Sequence, residues 1–238
     1  MIAPIQNGHA ADERPLRDLA VSAFGPGGIL SDISNGDFEY EARPQQVEMT
    51  RAVADALESE RPLVVEAGTG VGKSLAYLVP LILHAKRMNK RVMVSTHTIS
   101  LQEQVIGKDL PLLKERLGPT FRAVLVKGRT NYLCRRRLAR ARSHQRELFP
   151  DGVGDDLERI RAWADQTEEG SVQEMRLQPK AEAWAAVCAE HGNCMGGKCT
   201  ERKRCFLFRA RAQMHDADLL VANHHLLFSD LAIRRDGA

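Results

Sequence analysis

One nine-residue stretch, Glu66-Ala67-Gly68-Thr69-Gly70-Val71-Gly72-Lys73-Ser74, constrains the fold of this chain more than any other. The apolar run 62–65 precedes it, and the apolar segment 75–85, which has helical spacing, follows it. A strand, a glycine-rich turn and a helix in this order are the context of a phosphate-binding loop. The glycines let successive backbone N–H groups point at one anion, and the helix start adds its positive dipole end. The sequence therefore predicts a nucleotide-phosphate site in this loop.

Two side chains of the loop have predicted roles in nucleotide chemistry. The Lys73 ammonium would reach the β- and γ-phosphates, and the Ser74 hydroxyl would bind Mg²⁺, so we expect ATP and Mg²⁺ as cofactors. The other phosphate contacts are assigned to Ala67, Gly68, Thr69, Gly70, Val71 and Gly72. Ala67 stands where the usual pattern has Gly, and its side chain is small enough to be accepted. A glycine-rich turn that merely carries a lysine is the alternative, and the flanking strand and helix signals favour the nucleotide site.

Bulk composition excludes several classes of protein. The chain has 238 residues, of which 43% are apolar and 27% charged, as in an ordinary globular protein. No stretch reaches the roughly 18 apolar residues of a membrane span, and the N-terminus lacks a secretory signal. We therefore expect a cytoplasmic protein without membrane association. The net charge of +3 identifies no partner, and the odd count of five cysteines favours metal binding over disulfides.

A helix is predicted immediately before the loop. Pro44 suits a first helical turn, and apolar residues then recur with helical spacing up to Glu60. This places Arg43 and Gln46 at the helix start, close to the phosphate site. A glutamine amide both donates and accepts, so Gln46 could read an adenine edge. A solvated helix start is the alternative, and spacing alone favours it.

Strands alternate with helices after the loop. Residues 91–95 and 121–126 are predicted strands, Thr96–Thr98 suits a helix cap, and Ala217–Asn223 is predicted to return the chain to the sheet. The fold class is therefore α/β, with a parallel sheet covered by helices on both faces. Ligands of such sheets bind at the carboxyl ends of the strands, where the phosphate loop, Thr96–Thr98 and Lys127–Arg129 would lie.

Charge is distributed unevenly in the middle of the chain. Eight basic and no acidic residues occur in one segment, namely Lys127, Arg129, Arg135, Arg136, Arg137, Arg140, Arg142 and Arg146. Residues 151–174 have the opposite character, with eight acids, and a second basic cluster spans 198–211. The basic segment, with Asn131 and Tyr132 interleaved, is typical of a nucleic-acid surface. A solvated basic helix is the alternative.

Three cysteines lie close together late in the chain. Four residues separate Cys194 from Cys199, and five separate Cys199 from Cys205. Zinc and iron–sulfur clusters both accept four thiolates, and the wide, uneven spacing favours a cluster. The fourth ligand is Cys188 or Cys134. Cys188 lies in an apolar stretch, whereas the basic surroundings of Cys134 favour its thiolate.

Three histidines are predicted to be packing residues rather than metal ligands. His97, His224 and His225 each lie next to an apolar run. A histidine in such a place is more often hydrogen-bonded within the fold than bound to a metal.

Several motifs together resemble one family. They are FGPGGIL (24–30), YEARPQQVEM (40–49), EAGTGVGKSLAYLVP (66–80), STHTISLQEQ (95–104), KGRTNYLC (127–134), CMGGKC (194–199), CFLFRAR (205–211) and ADLLVANHHLL (217–227). In this order they resemble the N-terminal part of bacterial DinG-type DNA helicases, the iron–sulfur branch of superfamily 2 related to the XPD helicases. The matching stretches span nearly the whole chain.

The resemblance implies a RecA-like P-loop motor domain with an inserted, mainly helical iron–sulfur domain. It implies adenine sensing by Arg43 and Gln46, and single-stranded DNA along residues 95–104. It implies ATP-driven 5′ to 3′ translocation on single-stranded DNA and unwinding at forks or duplex junctions, in repair or replication. The motor is expected to be a monomer. It also implies a 4Fe-4S cluster, without Cys188, on Cys134, Cys194, Cys199 and Cys205.

The resulting domain assignment has four parts. Residues 1–36 are a mobile leader, 37–127 the first part of motor domain 1, 128–210 the iron–sulfur insertion, and 211–238 the return to motor domain 1. The chain departs from the family in having no Asp-Glu-Ala-His box and no second motor domain. The expectation is an amino-terminal fragment that binds ATP and hydrolyses it poorly. The alternatives are a non-hydrolysing nucleotide- and DNA-binding iron–sulfur module, and a P-loop enzyme with a zinc site.

Overall fold

The computed structural model describes residues 14–25, 27–30, 43–117, 121–143 and 153–235. The chain divides into two compact units, residues 1–125 with 217–224, and residues 126–216 with 225–238. Among the described residues, no helix combines the length and apolar character needed to cross a membrane.

The first unit contains a parallel sheet and the helices that pack with it. Its elements in chain order are α1 (Leu16–Ser22), α2 (Pro44–Ser59), α3 (Lys73–Met88), β1 (Val92–Thr96), α4 (Ile99–Gln104), a π-helical turn (Val105–Asp109), α5 (Leu110–Leu117), β2 (Ala123–Leu125) and β3 (Leu219–Asn223). The sheet order is β1-β3-β2, and both pairings are parallel. Leu219 pairs with Val92 on one side and with Ala123 on the other. The predicted α/β class with a parallel sheet is confirmed.

The segment Ala217–Asn223, predicted to return the chain to the sheet, contains the central strand β3. Residues Leu219 to Ala222 of β3 are all buried, as expected for a strand with neighbours on both sides. β3 lies between β1 and β2 and pairs with both of them in parallel. The first core forms around it, and its largest fully buried side chains include Phe24, Leu78 and Phe121.

The described part of the predicted leader belongs to this first core. Leu16, Ala20, Phe24 and Leu30 are each at most 1% exposed. The N–H of Leu16 also donates to Oε1 of Glu58 on α2, at 2.7 Å. Residues 14–25 and 27–30 are therefore integrated in the unit, which differs from the mobile leader expected. Residues 1–13 and 31–36 of that leader lie outside the described residues.

The strand predicted before the phosphate loop is absent. Residues 61–68 have no regular secondary structure, and the exposed fractions of Leu63, Val64 and Val65 are 42%, 96% and 40%. A strand requires a hydrogen-bonded neighbour, and none of the three strands among the described residues pairs with this run. Hydrophobic composition alone therefore predicted a strand that has no partner here.

The second unit is mainly helical. Its principal elements are α6 (Arg135–Ser143), α7 (Val153–Ala164), α8 (Ala181–Val187), α9 (Phe206–His215) and short 3-10 turns at Arg129–Asn131, Val172–Glu174, Gly196–Lys198 and Arg202–Arg204. A second core contains the fully buried Leu133, Leu157, Ile160 and Phe206. Backbone bridges pair Tyr132 with Ser171 and Leu133 with Cys188. The last helix of the chain, α10, is His224–Arg235.

Candidate nucleotide-binding site and cysteine unit

The phosphate loop has the backbone shape that its glycines predict. Gly70 and Gly72 have φ angles of 81° and 77°, in the left-handed region that favours glycine. Gly72 caps α3, whose first residue is Lys73. The free N–H groups of the first turn of α3 therefore adjoin the loop, which is the arrangement that binds anions at helix starts.

Lys73 lies against the loop backbone. Its Nζ donates to the carbonyls of Ala67 at 3.0 Å and Gly68 at 2.6 Å. These bonds fold the side chain back toward the start of the loop. The ammonium is therefore positioned at the loop, within reach of a phosphate group bound there.

The two residues predicted to sense adenine support the loop. The Arg43 guanidinium donates to the Gly70 carbonyl, and Gln46 Nε2 donates to the Gly72 carbonyl at 2.9 Å. Gln46 is only 3% exposed, so the solvated helix start is excluded for this residue. An open cavity at the start of α2 is lined by Arg43, Pro44, Val47, Glu48 and Arg51. The helix start and the loop therefore form one connected site.

Two oxygen-bearing side chains lie near Ser74. They are Asp109 of the π-helical turn and Tyr77, one turn further along α3, and the Ser74 hydroxyl affects the pKa of each, in both cases opposing the rise that burial causes. Asp109 is 7% exposed, and Gln104 Nε2 donates to its Oδ2 at 3.4 Å. Burial raises the pKa of Asp109, while the hydrogen bonds from Ser74 and Gln104 oppose the shift. Hydroxyl and carboxylate oxygens are hard donors, so this donor set fits Mg²⁺.

Sequence reasoning missed Asp109 and Tyr77. Tyr77 lies three residues after Ser74 on a predicted helix, so helical spacing could have identified it. No sequence signal identifies Asp109, because its approach to Ser74 depends on how α3 packs against the π-helical turn.

Polar side chains also gather at the carboxyl ends of β1 and β3. Ser95 Oγ and His224 Nδ1 lie 2.7 Å apart, and Asn223 Nδ2 donates to the His97 carbonyl at 3.2 Å. The His97 and His224 rings contact edge to face, with centroids 6.0 Å apart. The prediction of hydrogen-bonded packing is confirmed for His224. The predicted cap is also present, since Thr98 accepts from the Leu101 N–H.

Part of the basic segment has a structural role. Lys127 pairs with Glu169 at 3.1 Å, Arg135 with Asp165 at 3.1 Å and Arg137 with Glu190 at 3.0 Å. The three basic side chains are only 15%, 15% and 18% exposed. Two of these acids belong to the acidic segment 151–174, so the two segments partly neutralise each other. The ion pairs therefore engage these three residues within the second unit, which makes them weaker candidates for DNA contact than the predicted nucleic-acid surface assumed. Arg146 lies outside the described residues.

Tyr132 is also unavailable as an exposed stacking platform. It is 4% exposed and belongs to the second core. Burial, followed by the nearby Glu169 carboxylate, raises the pKa of Tyr132 to about 12. The interleaved aromatic ring that suggested base stacking is instead a core residue.

The cysteines predicted to bind a cluster lie in adjoining segments of the second unit. Cys134 precedes α6 and its carbonyl accepts from the Leu138 N–H, while Cys205 caps α9. The residues that follow them are in contact, since the Arg135 guanidinium lies 4.8 Å from the Phe206 ring centre. Cys134 and Cys205 therefore lie at the starts of two neighbouring helices.

Cys194 and Cys199 flank the turn Gly196–Lys198, which contacts the turn Arg202–Arg204. The Arg136 guanidinium donates to the carbonyl of Asn193, linking this loop to α6. Within the described ranges, however, no three His, Cys, Asp or Glu side chains converge closely enough to bind a metal ion. The four-cysteine cluster therefore stays a prediction.

Cys188 has different surroundings. It is 7% exposed, and burial raises the pKa of its thiol, although the Arg137 guanidinium opposes the shift. A buried thiol of this kind acts as a small apolar side chain.

Comparisons with known proteins agree with the geometry of the loop. A family model described as DEAD/DEAH box helicase matches residues 46–146. The ATP-dependent DNA helicase YoaA of Escherichia coli is 38% identical over 215 residues, covering 90% of this chain and 32% of YoaA. The ATP-dependent helicase DinG of Mycobacterium tuberculosis is 40% identical over 207 residues, covering 79% of this chain and 31% of that protein. The 3′-5′ exonuclease DinG of Bacillus subtilis is 31% identical over 202 residues, covering 84% of this chain and 21% of that protein.

This chain spans about a third of the length of YoaA and of the mycobacterial DinG, and less of the Bacillus protein. The family match begins at Gln46 and includes the entire phosphate loop. Residues 46–146 are therefore part of a DEAD/DEAH box helicase domain, and the chain is a homologue of the DinG and YoaA proteins.

Proposed function

We propose that this chain supplies the ATP-binding part of an ATP-dependent DNA helicase. The observation that carries the proposal is the phosphate loop at the start of α3, where Lys73 lies against the loop and Gln46 supports it. The same proposal includes 5′ to 3′ translocation on single-stranded DNA, unwinding at forks or duplex junctions, and a monomeric protein acting in repair or replication.

The residues of the site have distinct tasks in this mechanism. The loop N–H groups and the Lys73 ammonium hold the β- and γ-phosphates, and Arg43 and Gln46 line the side on which the base would lie. Mg²⁺, bound through Ser74, would supply positive charge between the phosphates. Each of these contacts orients the triphosphate and offsets its negative charge.

Nucleotide binding is tested by replacing the loop lysine. Lys73→Ala should weaken the binding of a fluorescent ATP analogue by at least about tenfold, because a charge-assisted contact to phosphate is lost. Lys90→Ala is the matched control, since Lys90 is exposed and the substitution removes the same charge. Equal affinities of the two variants would overturn the nucleotide site.

The rate of ATP hydrolysis by this chain alone tests whether it acts as a complete motor or only binds nucleotide. No Asp-Glu-Ala-His sequence occurs in these 238 residues, and its acids are the groups that would hold the metal and polarise water. We expect this chain alone to bind ATP and to hydrolyse it at a rate near background. A DNA-stimulated ATPase activity that disappears in Lys73→Ala would contradict this expectation.

DNA binding is proposed for the exposed basic residues of the second unit. Arg135 and Arg137 are poor probes because they form ion pairs within that unit. The better triple-alanine variant replaces three exposed residues, Lys198, Lys203 and Arg211. It should reduce the salt dependence of single-stranded DNA binding by about two units, since each phosphate contact contributes roughly 0.7.

The control for this experiment removes the same charge from the first unit. It replaces the exposed Arg61, Lys90 and Lys114 with alanine. An equal change of slope in the two triple variants would show that net charge, rather than the second-unit surface, determines binding.

We also propose that Cys134, Cys194, Cys199 and Cys205 bind a 4Fe-4S cluster in the second unit. The support is the position of Cys134 and Cys205 at two adjoining helix starts, together with the resemblance to iron–sulfur helicases. Protein purified without oxygen should be brown and absorb broadly near ~400 nm, whereas a zinc protein is colourless. Cys199→Ser should lose iron and Cys188→Ser should retain it. Normal iron content in Cys199→Ser would reject the assignment.

A further inference from the structure

The basic cluster 198–211 differs from the basic segment 127–146 in how its charges are used. Three basic side chains of the segment 127–146 are held in ion pairs within the second unit. Four basic side chains of the cluster 198–211, by contrast, form neither a hydrogen bond nor an ion pair with any described residue: Lys198, Arg202, Lys203 and Arg211. The positive charge that remains available to a partner of the second unit therefore lies in this cluster.

An exposed aromatic ring lies within the same cluster. Phe208 of α9 is 44% exposed, and the guanidinium carbon of Arg202 lies over its ring, 3.8 Å from the ring centre. At this distance the guanidinium and the ring form a close cation–π contact. The other ring of α9, Phe206, also contacts two guanidinium groups, but it is 2% exposed and belongs to the second core. Only the contact of Phe208 with Arg202 is therefore accessible to a ligand on this helix.

This pair of side chains has the chemistry of a nucleobase-stacking site. Every base has a flat π-face, and bases of single strands stack on aromatic rings and on guanidinium planes. The N–H groups of Arg202 can at the same time donate to a phosphate oxygen of the strand. Arg211 follows Phe208 by three residues on α9, and Lys203 adjoins Arg202, so two further positive charges lie beside the pair for neighbouring phosphates.

We propose that Phe208 and Arg202 form a stacking platform that binds one base of single-stranded DNA. This inference rests on the proposed DNA binding by the second unit and adds to it the residue that distinguishes a single strand from a duplex. Bases within a duplex are stacked on each other, so their faces cannot reach a ring on the protein surface. Phosphate contacts bind both forms of DNA, whereas the platform binds only a base whose face is free.

The test is the affinity for a fluorescent single-stranded oligonucleotide, measured by anisotropy over a series of salt concentrations. The whole chain is used, purified without oxygen. Phe208→Ala should weaken binding at least about fivefold, because base stacking is lost, and Phe208→Tyr should retain it. The salt dependence should not change in Phe208→Ala, since no charge is removed. Arg202→Ala should weaken binding and also reduce the slope of the salt dependence by about 0.7.

Two controls separate stacking from a general effect on the surface. Leu177→Ala removes another side chain of the second unit, 66% exposed, and should leave the affinity unchanged, so a loss equal to that of Phe208→Ala would overturn the platform. A strand of abasic sites has the same phosphates and no bases, and the unmodified chain and Phe208→Ala should bind it equally. A difference that persists on the abasic strand would also overturn the platform.

Urea unfolding followed by tryptophan fluorescence checks that each variant keeps its fold, since Trp163 and Trp184 both lie in the second unit. Phe208→Leu keeps an apolar side chain without a π-face and covers the case in which Phe208→Ala does not fold. It should bind the single strand as weakly as Phe208→Ala does.

The outcomes distinguish this inference from the proposed function. If the unmodified chain binds no DNA, the proposed DNA binding itself is wrong. If it binds single-stranded DNA and both Phe208→Ala and Phe208→Leu bind it as tightly, only the platform is overturned. Equal losses of affinity for a single strand and for a duplex of the same length would likewise overturn the platform, because the duplex offers no free base face.

Discussion

The substitution Gly72→Ala would test how the phosphate loop is held in shape. A Cβ at Gly72 would lie 2.1 Å from Gln46 Nε2 and 2.9 Å from its Cδ. The φ angle of 77° adds backbone strain for any residue with a Cβ. Because Gln46 is buried and donates to the Gly72 carbonyl, the side chain cannot move aside without breaking this bond.

The magnitude follows from three contributions. Left-handed backbone strain costs about 1–2 kcal/mol, and displacing the Gln46 amide costs about 1–3 kcal/mol if the buried group is left unpaired. Lower entropy of the unfolded alanine chain offsets about 0.4–1 kcal/mol. The first unit should therefore lose roughly 2–4 kcal/mol of unfolding free energy.

Hydrogen exchange followed by mass spectrometry is the appropriate assay. Both tryptophans, Trp163 and Trp184, lie in the second unit, so fluorescence does not report on the first. Peptides from α2 and α3 would give the local free energy of opening directly.

Two glycines of the same loop provide matched controls. A Cβ at Gly70 meets no atom within 4 Å, although φ is 81°, so Gly70→Ala carries the strain without the clash. A Cβ at Gly68 also meets nothing within 4 Å, and its φ is not positive, so Gly68→Ala should be nearly neutral. Adding Gln46→Ala to Gly72→Ala should remove the clash and recover part of the loss. Equal exchange in Gly72→Ala and Gly70→Ala would refute the role of Gln46.

The second unit allows two further predictions, both measurable by urea unfolding with tryptophan fluorescence. A Cβ at Gly170 would lie 2.1 Å from Phe206 Cγ at a φ of 68°, so Gly170→Ala should cost about 3–5 kcal/mol. Gly192→Ala is the control: its new Cβ would meet no atom within 4 Å, so it should lower the free energy of unfolding by about 1 kcal/mol. Similar losses for Gly170→Ala and Gly192→Ala would show that the Phe206 ring can move away from the new Cβ. The Lys180 N–H donates to Asp156 at 2.8 Å and lowers the pKa of that carboxyl in the folded state. The ionised Asp156 therefore stabilises the fold at pH values above its unfolded pKa of about 3.9. This stabilisation disappears as the pH falls through the lower pKa of the folded state. The stability difference between the unmodified chain and Asp156→Asn should therefore shrink below about pH 4, and a difference independent of pH would contradict this assignment.

Charge and aromatic composition proved weaker guides than backbone motifs. The basic segment 127–146 predicts a nucleic-acid surface, yet Lys127 and Arg135 pair with acids that follow them in the chain. Tyr132 is a core residue rather than an exposed ring. Sequence shows how charges are distributed along the chain, whereas ion pairing depends on which segments meet after folding.

Local features of this protein were determined by the sequence itself. The glycine spacing of residues 68–72, the cap at Thr98 and the helix that begins at Pro44 depend on interactions within a few residues, so their patterns predict them directly. The periodicity of the apolar residues likewise predicts α/β alternation, although it also predicts a strand at 62–65 that has no neighbour.

Only the tertiary structure decided which distant residues meet. It places β3 between β1 and β2, buries Gln46 against Gly72 and brings Asp109 to Ser74. These contacts join residues far apart in sequence, and each depends on how whole helices and strands pack rather than on local propensity. For this reason the phosphate loop can be predicted from its own residues, while the side chains that support and orient it cannot.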